Sequence, residues 1–187
     1  MKEANSRIAP GYADLIVMAA ASHPSLAPFA TVWFLEYDVD FTGSWSELFA
    51  RYRKVWSDLI GFRIQRPEDN PGWNHWKTLK MPDGAEPLGS FIPAMRLSRR
   101  FVNRYRKEMD SGAWAGHTEA AVPSVAAHLG LSMIDMSADA EFSRHDGRQP
   151  LINHDTFGYR PIRSSSYFHE TPEAFPESHK LYHPVKV

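Results

Sequence analysis

Apolar positions along the chain recur at two spacings, one near 3.6 and one of 2, and the changes between them mark out helices and strands. Between Gly11 and His23, Tyr12, Leu15, Ile16 and Ala19 share one helical face, and Pro24 supplies the stop. Ala30 to Val39 is rich in β-branched and aromatic residues and predicts a strand that ends in acid. Gly43 and Ser44 open a second helix: Ser44 and Glu47 have capping-box spacing, and Trp45, Leu48, Phe49, Tyr52 and Trp56 form a continuous apolar stripe. Asp58 to Ile64 fits a second strand. Gln65 to Ser90 is rich in Pro and Gly and predicts a long loop carrying Trp73, His75 and Trp76; loops of that length inside a domain are usually functional or mobile.

Ser98 to Asp110 returns to the helical period, with Leu97, Phe101 and Tyr105 on one face. Arg96, Arg100, Arg104 and Lys107 fall on another, expected to be solvated. Glu119 to Leu129 predicts a further helix closed by Gly130, with Pro123 tolerable only near its first turn. Leu131 to Met136 fits a third strand, and the chain beyond Ser137 reads as loop. Alternating helices and strands predict an α/β class: one mixed-sheet domain over residues 1–187, loop-rich toward its C-terminus.

Composition narrows the chemistry. The 187 residues suit one domain, and the absence of cysteine removes disulfide scaffolds, thiol nucleophiles and cysteine-ligated metals. With 21 Lys+Arg against 22 Asp+Glu, the net charge of −1 argues against a nucleic-acid partner. Leu15 to Ala21, preceded by Asp14, is too short to span a bilayer and lacks the form of a signal peptide, so a soluble, cytoplasmic chain without a membrane segment is expected. Aromatic residues reach 13%, with six Trp, which suits a cleft lined by rings.

The most informative run is Glu36-Tyr37-Asp38-Val39-Asp40. On a continuing strand, Glu36, Asp38 and Asp40 share one face and repel one another, and a divalent cation is their natural partner. Mg²⁺ or Mn²⁺, which prefer oxygen ligands and take substrate phosphates into their shells, suit such a site.

From about Trp33 onward the chain resembles glycosyltransferases with the type A fold. Three motifs carry the likeness: the Asp-x-Asp of Asp38 and Asp40, Gly116-His117-Thr118-Glu119 entering a helix, and Leu181-Tyr182-His183-Pro184-Val185-Lys186. The resemblance implies a nucleotide-sugar donor, a glycan or other hydroxyl acceptor, and an Mn²⁺ or Mg²⁺ ion held by Asp38, Asp40 and His183. Asp38 and Lys186 are then expected to contact the donor, and Glu119 to be the base of an inverting transfer. Trp73 and Trp76 are candidates for stacking on acceptor sugar, while His154 and His169 are rival metal ligands. Members of that fold place a nucleotide-binding half before the Asp-x-Asp, which here begins at residue 38, so the resemblance implies a short nucleotide side. A metal-dependent phosphoesterase or nuclease using Glu36, Asp38 and Asp40 with the C-terminal histidines, and a non-catalytic relative acting as a module for a partner chain or a homo-oligomer, are the alternatives.

Overall fold

The computed structural model describes residues 13–137, 141–143, 148–153, 155–158, 163–164 and 170–186, with backbone alone at 163–164. Gly11, Tyr12, His154 and His169 lie outside the described residues. Four strands form the central mixed sheet in the order β1-β4-β3-β5: β1 (Thr31–Leu35), β3 (Leu59–Gln65), β4 (Gly89–Ser98) and β5 (Met133–Asp135). β4 pairs antiparallel with both β1 and β3, and β3 pairs parallel with β5. Four helices accompany it: α1 (Ala13–Ala21), α2 (Trp45–Tyr52), α3 (Arg99–Met109) and α4 (Thr118–His128). The α/β class with a mixed sheet follows from the structure. Among the described residues no helix is long and apolar enough to cross a membrane.

Strand alternation sorts the core onto two faces. Leu59, Ile92, Met95 and Leu97 pack beneath α1, α3 and α4 with Val17, Phe101, Val102 and Val125. Ile60, Phe62, Phe91 and Ala94 point the other way, against Leu48 and Tyr52 of α2 and against Leu151, Ile152, Phe157 and Leu181. The three layers enclose enough apolar surface to fix each register, because a slip by one residue would exchange the two faces.

β4 is the sheet's most buried long strand and the element least visible in sequence. Pro93 sits inside it, although a proline cannot donate to a ladder. The pairing with β3 shifts register between Ile60/Arg96 and Phe62/Phe91, so Pro93 occupies an irregular stretch on that side. On the β1 side its carbonyl accepts from the Glu36 amide at 2.7 Å. The helix α4 likewise tolerates Pro123 in its second turn, deeper than the expected first-turn position.

Other expectations change on folding. Strand β1 ends at Leu35, short of the acidic run, and the chain turns there, the Val39 amide bonding the Glu36 carbonyl at 3.2 Å. Asp40 then begins a separate short strand, β2 (Asp40–Phe41), paired with β7 (Leu181–Tyr182). Glu36, Asp38 and Asp40 therefore do not share a strand face. Ser44 caps α2 by position but makes no side-chain cap bond, its hydroxyl pairing with that of Ser46 at 2.7 Å. α2 ends at Tyr52, so Trp56 leaves the apolar stripe and stands 96% exposed. The C-terminal region contains short strands as well as loop: β7, and β6 (Arg163–Ser164) paired parallel with β8 (Val185–Lys186).

Buried charge secures one end of the sheet. Asp58, 4% exposed at the foot of β3, accepts bonds from Ser98 Oγ at 2.7 Å, Arg100 Nε at 2.9 Å and Ser132 N and Oγ, each at 3.0 Å. Burial alone would raise its carboxyl pKa, but these donors outweigh burial and hold it well below the usual carboxylate range. Arg96, placed by spacing on a solvated face, is instead buried in β4 and donates to the carbonyls of Tyr52, Val55 and Ser57 at 2.6, 2.7 and 3.1 Å.

Because the folded-state pKa of Asp58 is depressed, its stabilisation is complete above its unfolded value of about 3.9 and is lost as pH falls below it. Asp58→Asn is expected to lower stability by about 2 kcal/mol at neutral pH and to flatten the acid limb of a urea-melt pH series. An unchanged midpoint at pH 7 would overturn the role given to this carboxylate.

Candidate active site

At the sheet end opposite Asp58, a cleft of about 520 Å³ opens between β1, β4, the start of α4 and the C-terminal segment. Phe34, Phe91, Ile92, Pro93 and Met95 make its apolar wall, and Glu36, Asp38, His75, His117, Glu119, His183 and Lys186 its polar one. The polar residues come from four separate stretches of chain, and two groups of three form among them.

The first group is Glu36, Asp38 and His183. The turn after β1 carries the carboxylates, and the C-terminal segment is fastened to that turn by the Val185 amide on the Asp38 carbonyl at 2.8 Å. His183 Nδ1 donates to the Gly158 carbonyl at 2.8 Å, which aims Nε2 at Glu36 Oε2 (3.4 Å) and Asp38 Oδ1 (3.5 Å). Donor atoms each about 2.1 Å from one ion stand about 3.0–3.4 Å apart at angles of 90–109°, so the three atoms need little movement to share a cation. Asp38 Oδ1 is buried and receives no hydrogen bond, while Oδ2 is bonded by Lys186 Nζ. A carboxylate with one satisfied and one orphaned oxygen suits a metal-ligand position, and the histidine's carbonyl partner is the usual second support of an imidazole ligand. The residues present fit a divalent cation. Lys186 also bonds the Tyr37 hydroxyl at 3.1 Å, and the bond to Asp38, with the Tyr37 bond second, pushes its pKa up to about 12.

The second group is His75, His117 and Glu119. Glu119, 6% exposed, lies in the first turn of α4, where the helix dipole favours a carboxylate. Its Oε2 is 3.4 Å from His75 Nε2 and 3.9 Å from His117 Nδ1. The two imidazoles stack with centroids 3.6 Å apart and planes within 14°. Burial lowers the pKa of His75, and burial together with His75 lowers that of His117 to about 4 against an opposing pull from Glu36. Both rings are therefore neutral near pH 7. Parallel rings set their in-plane lone pairs side by side, and His117 Nδ1 already accepts from the Glu119 amide at 3.3 Å. As arranged, this trio handles protons better than it cages a cation.

The long loop exists to hold His75 there. Its middle is a 3₁₀ turn, Asn74–Thr78. Trp73 and Trp76 meet edge to face at 4.7 Å and lie on Gly89, where a Cβ would come within 2.4 Å of the Trp73 ring. Lys80 and Ala115 exchange backbone bonds of 2.7 and 3.0 Å, binding the loop to the approach of α4. Gly116 sits at φ +139°, with room for no side chain against Thr78 and Leu79.

The sequence-derived residues thus divide. Asp38, His183, Lys186 and Glu119 meet in one cleft. Asp40 does not join the first group: its carboxylate accepts from the Phe41 amide at 2.7 Å, and Glu36 takes the corresponding place. Trp73 and Trp76 brace the loop and do not line the cleft. His75 and His117 received no role from sequence, although each stood inside a segment already singled out.

Gly89→Ala is expected to cost about 1–3 kcal/mol and to shift tryptophan emission, because both indoles must leave β4. A variant with wild-type thermal midpoint and emission would overturn the bracing role. Comparison with family models, with curated proteins and with solved structures gave no match to this chain.

Proposed function

We propose that the cleft is the active site of a metal-dependent glycosyltransferase that moves a sugar from a nucleoside diphosphate to a hydroxyl acceptor with inversion. The observation that carries this reading is the meeting, in one cleft, of a carboxylate–imidazole group beside a lysine and a buried helix-start carboxylate backed by neutral imidazoles. A cation such as Mn²⁺ or Mg²⁺ at Glu36, Asp38 and His183 would supply charge neutralisation for the departing diphosphate. Lys186 adds a fixed positive charge beside the same phosphates. Glu119 accepts the acceptor hydroxyl proton as that oxygen attacks the anomeric carbon, while the bond from sugar to phosphate breaks and its electron pair leaves with the diphosphate. His75 orients Glu119 from 3.4 Å, and the apolar wall of Phe34, Phe91 and Met95 limits water as a competing acceptor.

One other reading, a metal-dependent phosphoesterase, would use a cation on the same Glu36, Asp38 and His183 group. The two separate on substrate: release of phosphate from simple phosphate esters without a sugar donor would select the esterase.

Nucleoside diphosphates with Mn²⁺ are expected to raise the thermal midpoint of the wild-type protein, and Asp38→Asn, checked for folding by circular dichroism, to abolish that rise. Absence of any shift with every nucleotide tested would sink the donor assignment. Glu119→Gln is expected to retain the nucleotide shift while transfer, followed by product mass with a panel of nucleotide-sugars, falls about 10²-fold or more. Full transfer by that variant would remove Glu119 as the base.

A further inference from the structure

The sheet end opposite the cleft carries two large aromatic side chains in water. Trp56, just before β3, is 96% exposed, and Phe29, just before β1, is 56% exposed. Thr31 pairs with Ser98 and Leu59 with Leu97, so both loops emerge at the same end of the sheet, on either side of β4.

Neither exposure comes from a slack loop. Arg96 holds the carbonyls of Tyr52, Val55 and Ser57, fixing the chain on both sides of Trp56, and Val55 and Ser57 are themselves buried. Arg99 repeats the device for Phe29: its guanidinium donates to the carbonyls of Ala21, Leu26 and Phe29, and its amide bonds the Ala30 carbonyl at 2.8 Å. Two arginines at the end of β4 thus each pin a loop that presents a ring to solvent. The surroundings are basic. Arg53 and Lys54 are exposed beside Trp56, and the Arg100 side chain is 60% exposed while tied to Asp58.

We propose that this end of the sheet is a docking surface for a bilayer containing anionic phospholipid. Trp56 and Phe29 enter the headgroup region, and Arg53 and Lys54 meet lipid phosphates. Tryptophan is the side chain best suited to a membrane interface, and a few cations supply the electrostatic attraction to anionic lipid. Charge complementarity selects this occupant over the others. A twofold pairing with a second copy would bring two copies of this basic patch into one interface, and a chain of net charge −1 with so short a basic patch lacks the cationic track a nucleic acid needs. Docked this way, the protein keeps its cleft at the far end of the sheet, open to water.

The test is co-sedimentation of the full chain with vesicles of phosphatidylcholine alone and with about 30 mol% phosphatidylglycerol added. Wild type is expected to pellet with the anionic vesicles only and to be released by about 0.5 M salt. Trp56→Ala is expected to weaken binding about tenfold, Phe29→Ala less, and the double change Arg53→Glu with Lys54→Glu to abolish it. All should keep the wild-type circular dichroism, since these side chains are exposed. Equal pelleting with both vesicle types, no pelleting, or wild-type binding by Trp56→Ala overturns the proposal. So does a Trp56-dependent dimer in sedimentation or a Trp56-dependent shift of RNA on a gel. Sedimentation requires no enzymatic turnover, so lipid binding can fail or succeed independently of glycosyl transfer.

Discussion

A negative charge buried at the foot of β3 organises the rest of the fold. Asp58 collects donors from the junction of β4 with α3 and from the approach to β5, so two stretches of chain remote from it in sequence are drawn to one carboxylate. An unpaired carboxylate at this depth would be strongly destabilising, and that penalty is what makes the arrangement specific. With one end of the sheet closed by Asp58, Arg96 and Arg99, the strands are anchored where they meet the loops. The cleft opens at the other end of the sheet.

The cleft contains two chemically different centres built from similar side chains, and ring geometry is what separates them. At His183 a carbonyl behind the imidazole turns its free nitrogen toward two carboxylates. At His75 and His117 the rings lie face to face, and the nearby carboxylate stands at a helix start. The first arrangement concentrates negative charge around a point, whereas the second offers a carboxylate flanked by neutral rings. One cleft thus holds carboxylates in two different electrostatic surroundings.

Much of this was legible in the chain. Periodicity located α2 and α3, because each buries one face and the pattern reports burial directly, whereas α4 and β3, buried on more than one side, were placed by their flanking residues and composition. β4 was hidden because a strand buried on both faces shows no alternation, and Pro93 reads as a breaker until its irregular pairing with β3 is known. The acidic run drew attention to a turn that lines the cleft. Its internal geometry was misjudged, since the alternation argument assumes a strand that continues past Leu35. His75 lay in plain view between two tryptophans, but only the absence of space above Gly89 reveals what those tryptophans hold in place. Trp56 showed the reverse error: helical spacing assigned it to a core that the helix stops short of reaching.

The bond from Lys186 to Asp38 joins residues 148 apart. Closing so long a loop carries an entropic cost that grows only with the logarithm of its length, so the contact costs little more than one across half that distance. Within the central sheet, even the parallel pairing of β3 with β5 joins residues only 74 apart, Leu59 with Met133. The polar wall of the cleft is therefore completed only where Asp38 meets Lys186.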